Sequence, residues 1–159
     1  MEDNTFKLLL VLHVAAVVVA LGPTFAFPFL EGIANRKGVG ATRFALQFEQ
    51  RLEMIWIWPG AVLLFLFGMG MILKEDDLRE DMPTWLMVGI VWFIAAFLAA
   101  VIIQGRNTKQ GLSALEGVAD DAPLPEAYRA VAKRMQIVGG LLGVSVLGIT
   151  YLMVWQPGG

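Results

Sequence analysis

The sequence predicts an all-α fold, a polytopic membrane protein with four transmembrane helices in a bundle, forming a single domain over residues 1–159. Three observations predict it. The chain is 57% hydrophobic and only 16% charged, where a soluble domain has about half and about a quarter. The charges fall in blocks between apolar runs rather than along them. Four of those runs approach the ~20 residues that a helix needs to cross the hydrocarbon core. Runs and connections together use up the length, so no soluble domain is expected.

The chain has no cysteine. Thiolate zinc sites, iron–sulfur clusters, thiol nucleophiles and disulfides are therefore excluded. A net charge of −2 gives no reason to expect nucleic acid. The N-terminus opens on Glu2 and Asp3, with Lys7 its one base. A secretory signal has a positive start and a shorter apolar core, so the first run is read as a retained helix.

Helix 1 is expected over about residues 6–30. Gly22-Pro23 lies inside it, and proline removes a backbone donor and crowds the preceding turn, which predicts a kink. Pro28 marks the expected exit. His13, Ala16, Val17, Ala20, Pro23 and Thr24 share one small, mildly polar face, expected to look into the bundle. The first connection is basic, with Arg36, Lys37, Arg43 and Arg51. Gly38 and Gly40 are expected to separate helix 1 from helix 2, which spans about 42–73. Its first turns carry Phe44, Phe48, Leu52 and Ile55 at helical spacing, and it enters the bilayer near Met54. Trp56 and Trp58 suit an interfacial belt, and Pro59 predicts a second kink.

A short acidic turn leads to helix 3, about 83–103, with Pro83 suited to a first turn. Ala95, Ala96, Ala99 and Ala100 permit close packing. Ser113-x-x-Glu116 fits a capping box for a short helix. Helix 4 is expected over about 125–155, starting outside the bilayer like helix 2. Gly139-x-x-x-Gly143 is its close-packing motif. The exits of helices 1 and 3 match loosely, Glu31 to Gly38 over Gln104 to Gly111, which suggests an ancestral duplication in parallel repeats. Connections one and three hold Arg36, Lys37, Arg43, Arg51, Arg106, Lys109, Arg129, Lys133 and Arg134; the opposite side holds Lys7, Lys74 and Arg79. That bias puts both termini outside and the long connections in the cytoplasm.

Helix 1, with Leu10-Val-Leu-His13-Val-Ala-Ala and Gly22-Pro-Thr-Phe followed by Glu31-Gly, resembles a bacterial family of predicted four-helix integral membrane proteins, known as a domain of unknown function. The basic first connection and the arginine at the mouth of helix 2 fit the same pattern. The resemblance implies a multi-pass protein of the bacterial inner membrane. More distantly, the leucine–histidine pair is similar to membrane proteins of the copper-resistance D type and to the haem-linked membrane protoporphyrinogen oxidase.

His13 is the one ionisable residue read as lying inside the bilayer, six residues and roughly 9 Å beyond Lys7. It either bonds a helix carbonyl, Thr24 or Ser145 as a neutral structural group, or binds a cofactor, with haem b the candidate. One histidine cannot supply a bis-histidine haem within one chain. The eight methionines read as packing and lipid contact, and no metal site is expected. Arg43, Glu49, Arg51 and Glu53 read as an interfacial salt-bridge collar, with Glu31 pairing to an arginine. Arg36, Lys37, Arg43 and Arg51 are also the candidates for contact with anionic lipid or a partner. Gly22, Pro23, Pro59, Gly139 and Gly143 are the structural positions. The sequence shows no nucleophile–base pair, no paired buried carboxylates and no phosphate-binding loop. The expectation is a non-enzymatic accessory or assembly subunit, in contact with other membrane subunits or with copies of itself. The alternatives are a haem- or metal-binding redox protein using His13, and a small-molecule or ion carrier.

Overall fold

In the computed structural model, which describes residues 4–158, the chain turns its first corner on one residue. Gly38 has φ of 104°, a backbone that L side chains rarely adopt. Before it α1 runs Asn4–Lys37, and after it α2 runs Val39–Lys74. A five-residue helix, Asp76–Glu80, crosses to the next leg. Then come α3, Thr84–Ala114, and α4, Glu126–Trp155. All four are long and apolar enough to cross a membrane, and no strand occurs among the described residues. Glu2 and Asp3, the acidic start of the sequence, lie outside the described residues.

The expected kinks are places where α geometry fails. In α1 a π-helical turn, Val17–Leu21, runs into a 3-10 turn, Gly22–Ala26, around Pro23. In α2 a π-helical turn, Glu53–Ile57, precedes Pro59. There Trp58 N–H donates to the Glu53 carbonyl, a five-residue reach that absorbs the disturbance ahead of the proline. A third π segment, Ala99–Gln104, lies in α3 without a proline.

All four helices overrun the bilayer-crossing length. α1 passes Leu30 and Pro28 and continues to Lys37, and α3 passes Ile103 and continues to Ala114. Their polar last turns favour helix well enough, and they pack on the first turns of α2 and α4. Gly40 is helical, so Gly38 alone makes the break. Ser113 ends a helix rather than starting one: its carbonyl accepts from Glu116 N–H.

The overrunning ends form a head with the packed core: Val39, Leu46, Leu115, Tyr128, Val131, Ala132 and Met135. In the membrane-length part the helices pair, α1 with α2 and α3 with α4. Phe65 stacks on Phe93, and Phe93 on Phe97, joining α2 to α3. Gly148 receives the Trp92 ring and Gly89 receives Met153. Beyond Met135, α4 has no buried residue.

Candidate functional site

The α1–α2 seam is built on backbone approach. Pro23 cannot donate to the carbonyl four residues back, that of Val19. The indole N–H of Trp56 donates to that carbonyl at 3.0 Å. One turn along, Gly60 faces Ala20 with no room for a Cβ. Deeper still, His13 Nδ1 lies 2.9 Å from the Leu64 carbonyl. A Cβ at Gly68 would lie only 3.2 Å from His13 Cε1. Thr24 and Ser145 donate to carbonyls of their own helices, Leu21 and Leu141. His13 thus sits on the inward seam and engages a backbone carbonyl, an arrangement that fixes the ring. Among the described residues no group of three or more His, Asp or Glu is placed to hold a metal ion.

Where α1 and α2 enter the head, acids meet acids. Glu31 and Glu49 are buried, and their carboxyl groups lie close enough for each to feel the other. Two carboxylates offer only acceptors and repel each other, so burial side by side favours protonation of one of them. Glu53 lies one turn along α2, close enough to feel the charge of Glu31. Glu49 is 4% exposed, and its Oε1 has no hydrogen-bond partner among the described residues. No basic side chain pairs with Glu31, Glu49 or Glu53 among those residues. The expected collar of Glu31, Glu49 and Glu53 with arginines is therefore replaced by an acidic layer. Beneath it Asn35 Oδ1 accepts from Tyr128 at 3.0 Å and from Thr42 at 3.1 Å, tying α4 to the α1–α2 corner.

The basic residues go elsewhere. Arg43 pairs with Asp120 and donates to the carbonyls of Leu115 and Val118, both at 2.8 Å. Its guanidinium holds the loop after α3, which also covers the corner: Gly40 N–H donates to the Asp120 carbonyl at 3.0 Å. Arg36 and Lys37 line an open cleft with Arg129 and Asp121. Arg51 is exposed on α2. The four bases are not gathered into one site. The structure also assigns the faces of the first turns of α2. Val39, Thr42, Ala45, Leu46 and Glu49 are buried, whereas Phe44 and Phe48 stack on each other outside. Gly139 and Gly143 meet only Gln104 and Phe25 at ordinary contact distances.

The glycines Gly60 and Gly68 and the acid–acid contact were not singled out from the sequence. The glycines had a signal, their eight-residue spacing along one face of helix 2. The acid pair had none, since nothing local brings Glu31 to Glu49. A layer of this kind can bind a proton, a cation or an amine.

A family model described as predicted integral membrane protein (DUF2269) matches residues 7–157. No curated protein and no solved structure matches the chain. The chain belongs to that family.

Proposed function

We propose that this member of a family of integral membrane proteins is a non-enzymatic accessory or assembly subunit, binding its partner through the head. The observation that carries this reading is apolar surface beyond the bilayer. Phe44 precedes Met54 by ten residues, roughly 15 Å of helix, while the headgroup layer is only ~5–8 Å deep. Phe44 is 67% exposed, and Phe48 beside it is exposed as well. Exposed aromatic side chains in water mark a contact surface. The excess of Arg and Lys in connections one and three supports a cytoplasmic head in a bacterial inner membrane, with both termini outside. An impermeant label should then reach residues 120–126 from the cytoplasmic side alone.

The absence of cysteine gives a direct test. Phe44→Cys and Phe48→Cys, each carrying a photo-crosslinker in native membranes, should yield one discrete product, and an Arg79→Cys control on the opposite side should not. Free labelling of both head positions with no product would overturn the reading. The carrier reading draws support from the buried Glu31–Glu49 contact and predicts cation flux in proteoliposomes that Glu49→Gln abolishes. The redox reading predicts a Soret band that His13→Ala removes.

A further inference from the structure

At the edge of the head, α2 and α3 leave a groove of about 190 Å³ between them. Its lining is mixed: Met54, Trp58 and Ile102 are apolar, and Glu53, Arg106 and Lys109 are charged. Gly105 lines it beside Trp58: a Cβ there would make ordinary contact with the Trp58 ring and the Ala100 carbonyl, both at 3.9 Å, and a longer side chain would extend over the groove. The level is that of a lipid headgroup: Met54 is where α2 enters the apolar stretch, and Arg106 follows Ile103, where that of α3 ends.

The charges of the groove are unspent. Arg106 and Lys109 form no ion pair among the described residues. Glu53 feels the charge of Glu31, and one turn before it on α2 is the nine-tenths-buried Glu49 with its unpartnered Oε1; no basic side chain pairs with any of the three among the described residues. Charge buried in low dielectric without a partner is costly. A ligand that brings an ammonium to Glu53 offsets that cost. The same ligand needs a phosphate for Arg106 and Lys109 and an acyl chain for the apolar lining at Trp58.

We propose that the α2–α3 groove binds one membrane phospholipid whose head carries both a phosphate and a primary ammonium, an ethanolamine-type lipid. The phosphate sits on Arg106 and Lys109, the ammonium donates hydrogen bonds to Glu53, and one acyl chain lies along Trp58 and Ile102. A choline head has a cation but no N–H to donate, and a glycerol head has no cation for the acidic layer.

The test is native mass spectrometry of the delipidated full chain in detergent, offered ethanolamine, choline and glycerol phospholipids with identical acyl chains. One ethanolamine lipid per chain should be retained, about fivefold over the other two, the ratio set by an ion pair worth ~1 kcal/mol. Glu53→Gln should erase that preference and leave the glycerol lipid as well bound as before. Arg106→Gln with Lys109→Gln should weaken all three. Gly105→Leu should fill the groove and remove the retained lipid without altering any charge. Equal retention of the three lipids would mean annular lipid only and would overturn the proposal. So would an ethanolamine preference that survives Glu53→Gln.

Discussion

Trp56→Phe isolates one hydrogen bond and can be checked against a second site. The indole N–H of Trp56 donates at 3.0 Å to the Val19 carbonyl, which Pro23 cannot serve. Phe keeps most of the ring contact and loses the donor. Hydrogen bonds between membrane helices are worth ~0.6 kcal/mol on average and up to ~1.7, and an orphaned carbonyl in a poorly hydrated place costs ~1–3 kcal/mol. The loss should therefore be about 1–2 kcal/mol. With Pro23→Ala in the background, residue 23 regains an N–H that reaches the Val19 carbonyl from within α1. Trp56→Phe should then cost less than ~0.5 kcal/mol. The assay is reversible unfolding in mixed micelles, followed by circular dichroism so that loss of an indole does not distort the signal. If Trp56→Phe costs the same in both backgrounds, to within ~0.3 kcal/mol, the carbonyl is not what Trp56 serves and the reasoning fails.

Gly60→Ala should cost ~1–3 kcal/mol, the usual range for overpacking, because its Cβ meets Ala20; Ala20→Gly in the same chain should recover most of it in the same unfolding assay. Arg43→Gln removes the fork that holds Leu115 and Val118. Cleavage by a Glu-specific protease at Glu116 should then accelerate by about tenfold, the effect of losing ~1.4 kcal/mol of loop closure. Arg43→Lys should not restore the slow rate, since an ammonium lacks the planar fork. Glu49→Gln keeps the volume and offers an amide donor to Glu31, so the head should stay within ~1 kcal/mol of the parent by thermal unfolding. Glu49→Ala should lose ~2–3 kcal/mol through the cavity and the stranded Glu31 carboxyl.

The four helices were legible because burial in a bilayer writes itself as long apolar runs, and the prolines marked where α geometry would fail. The helix ends were less legible. Asn35, Arg36 and Lys37 read as a connection because they are polar, yet they continue α1 by packing against the start of α2. Phe44 and Phe48 read as one face of an amphipathic helix, and amphipathic spacing identifies a face without saying what it meets. The inward face is small and polar, Thr42, Ala45 and Glu49, because α1 and α3 come close there. Arg43 finds Asp120 across 77 positions, and Glu31 finds Glu49 across a corner made by one glycine. Local sequence offers nearer partners of opposite charge in both cases. Only the fold shows that they are not used.

The two parts of the molecule are held together by different physics, and the acidic layer lies where they meet. In the head, water supplies the drive: Leu46, Leu115, Tyr128 and Met135 are buried against one another, and area removed from water stabilises them. In the membrane-length part lipid is as apolar as the side chains, so apolar contact between helices gains little. There the seam rests on close backbone approach at Gly60 and Gly68 and on two hydrogen bonds to carbonyls, from Trp56 and His13. At the junction neither rule applies fully. Glu31, Glu49 and Glu53 are too enclosed to be hydrated like head residues, and too polar to belong to the seam. A carboxyl contact that favours a proton, and an oxygen with no donor, are costly features in a structure whose other polar groups are largely satisfied. Protonation lowers that cost, and a cation at Glu53 lowers it further. The proposed headgroup ammonium reaches the edge of this layer at Glu53, through the groove between α2 and α3.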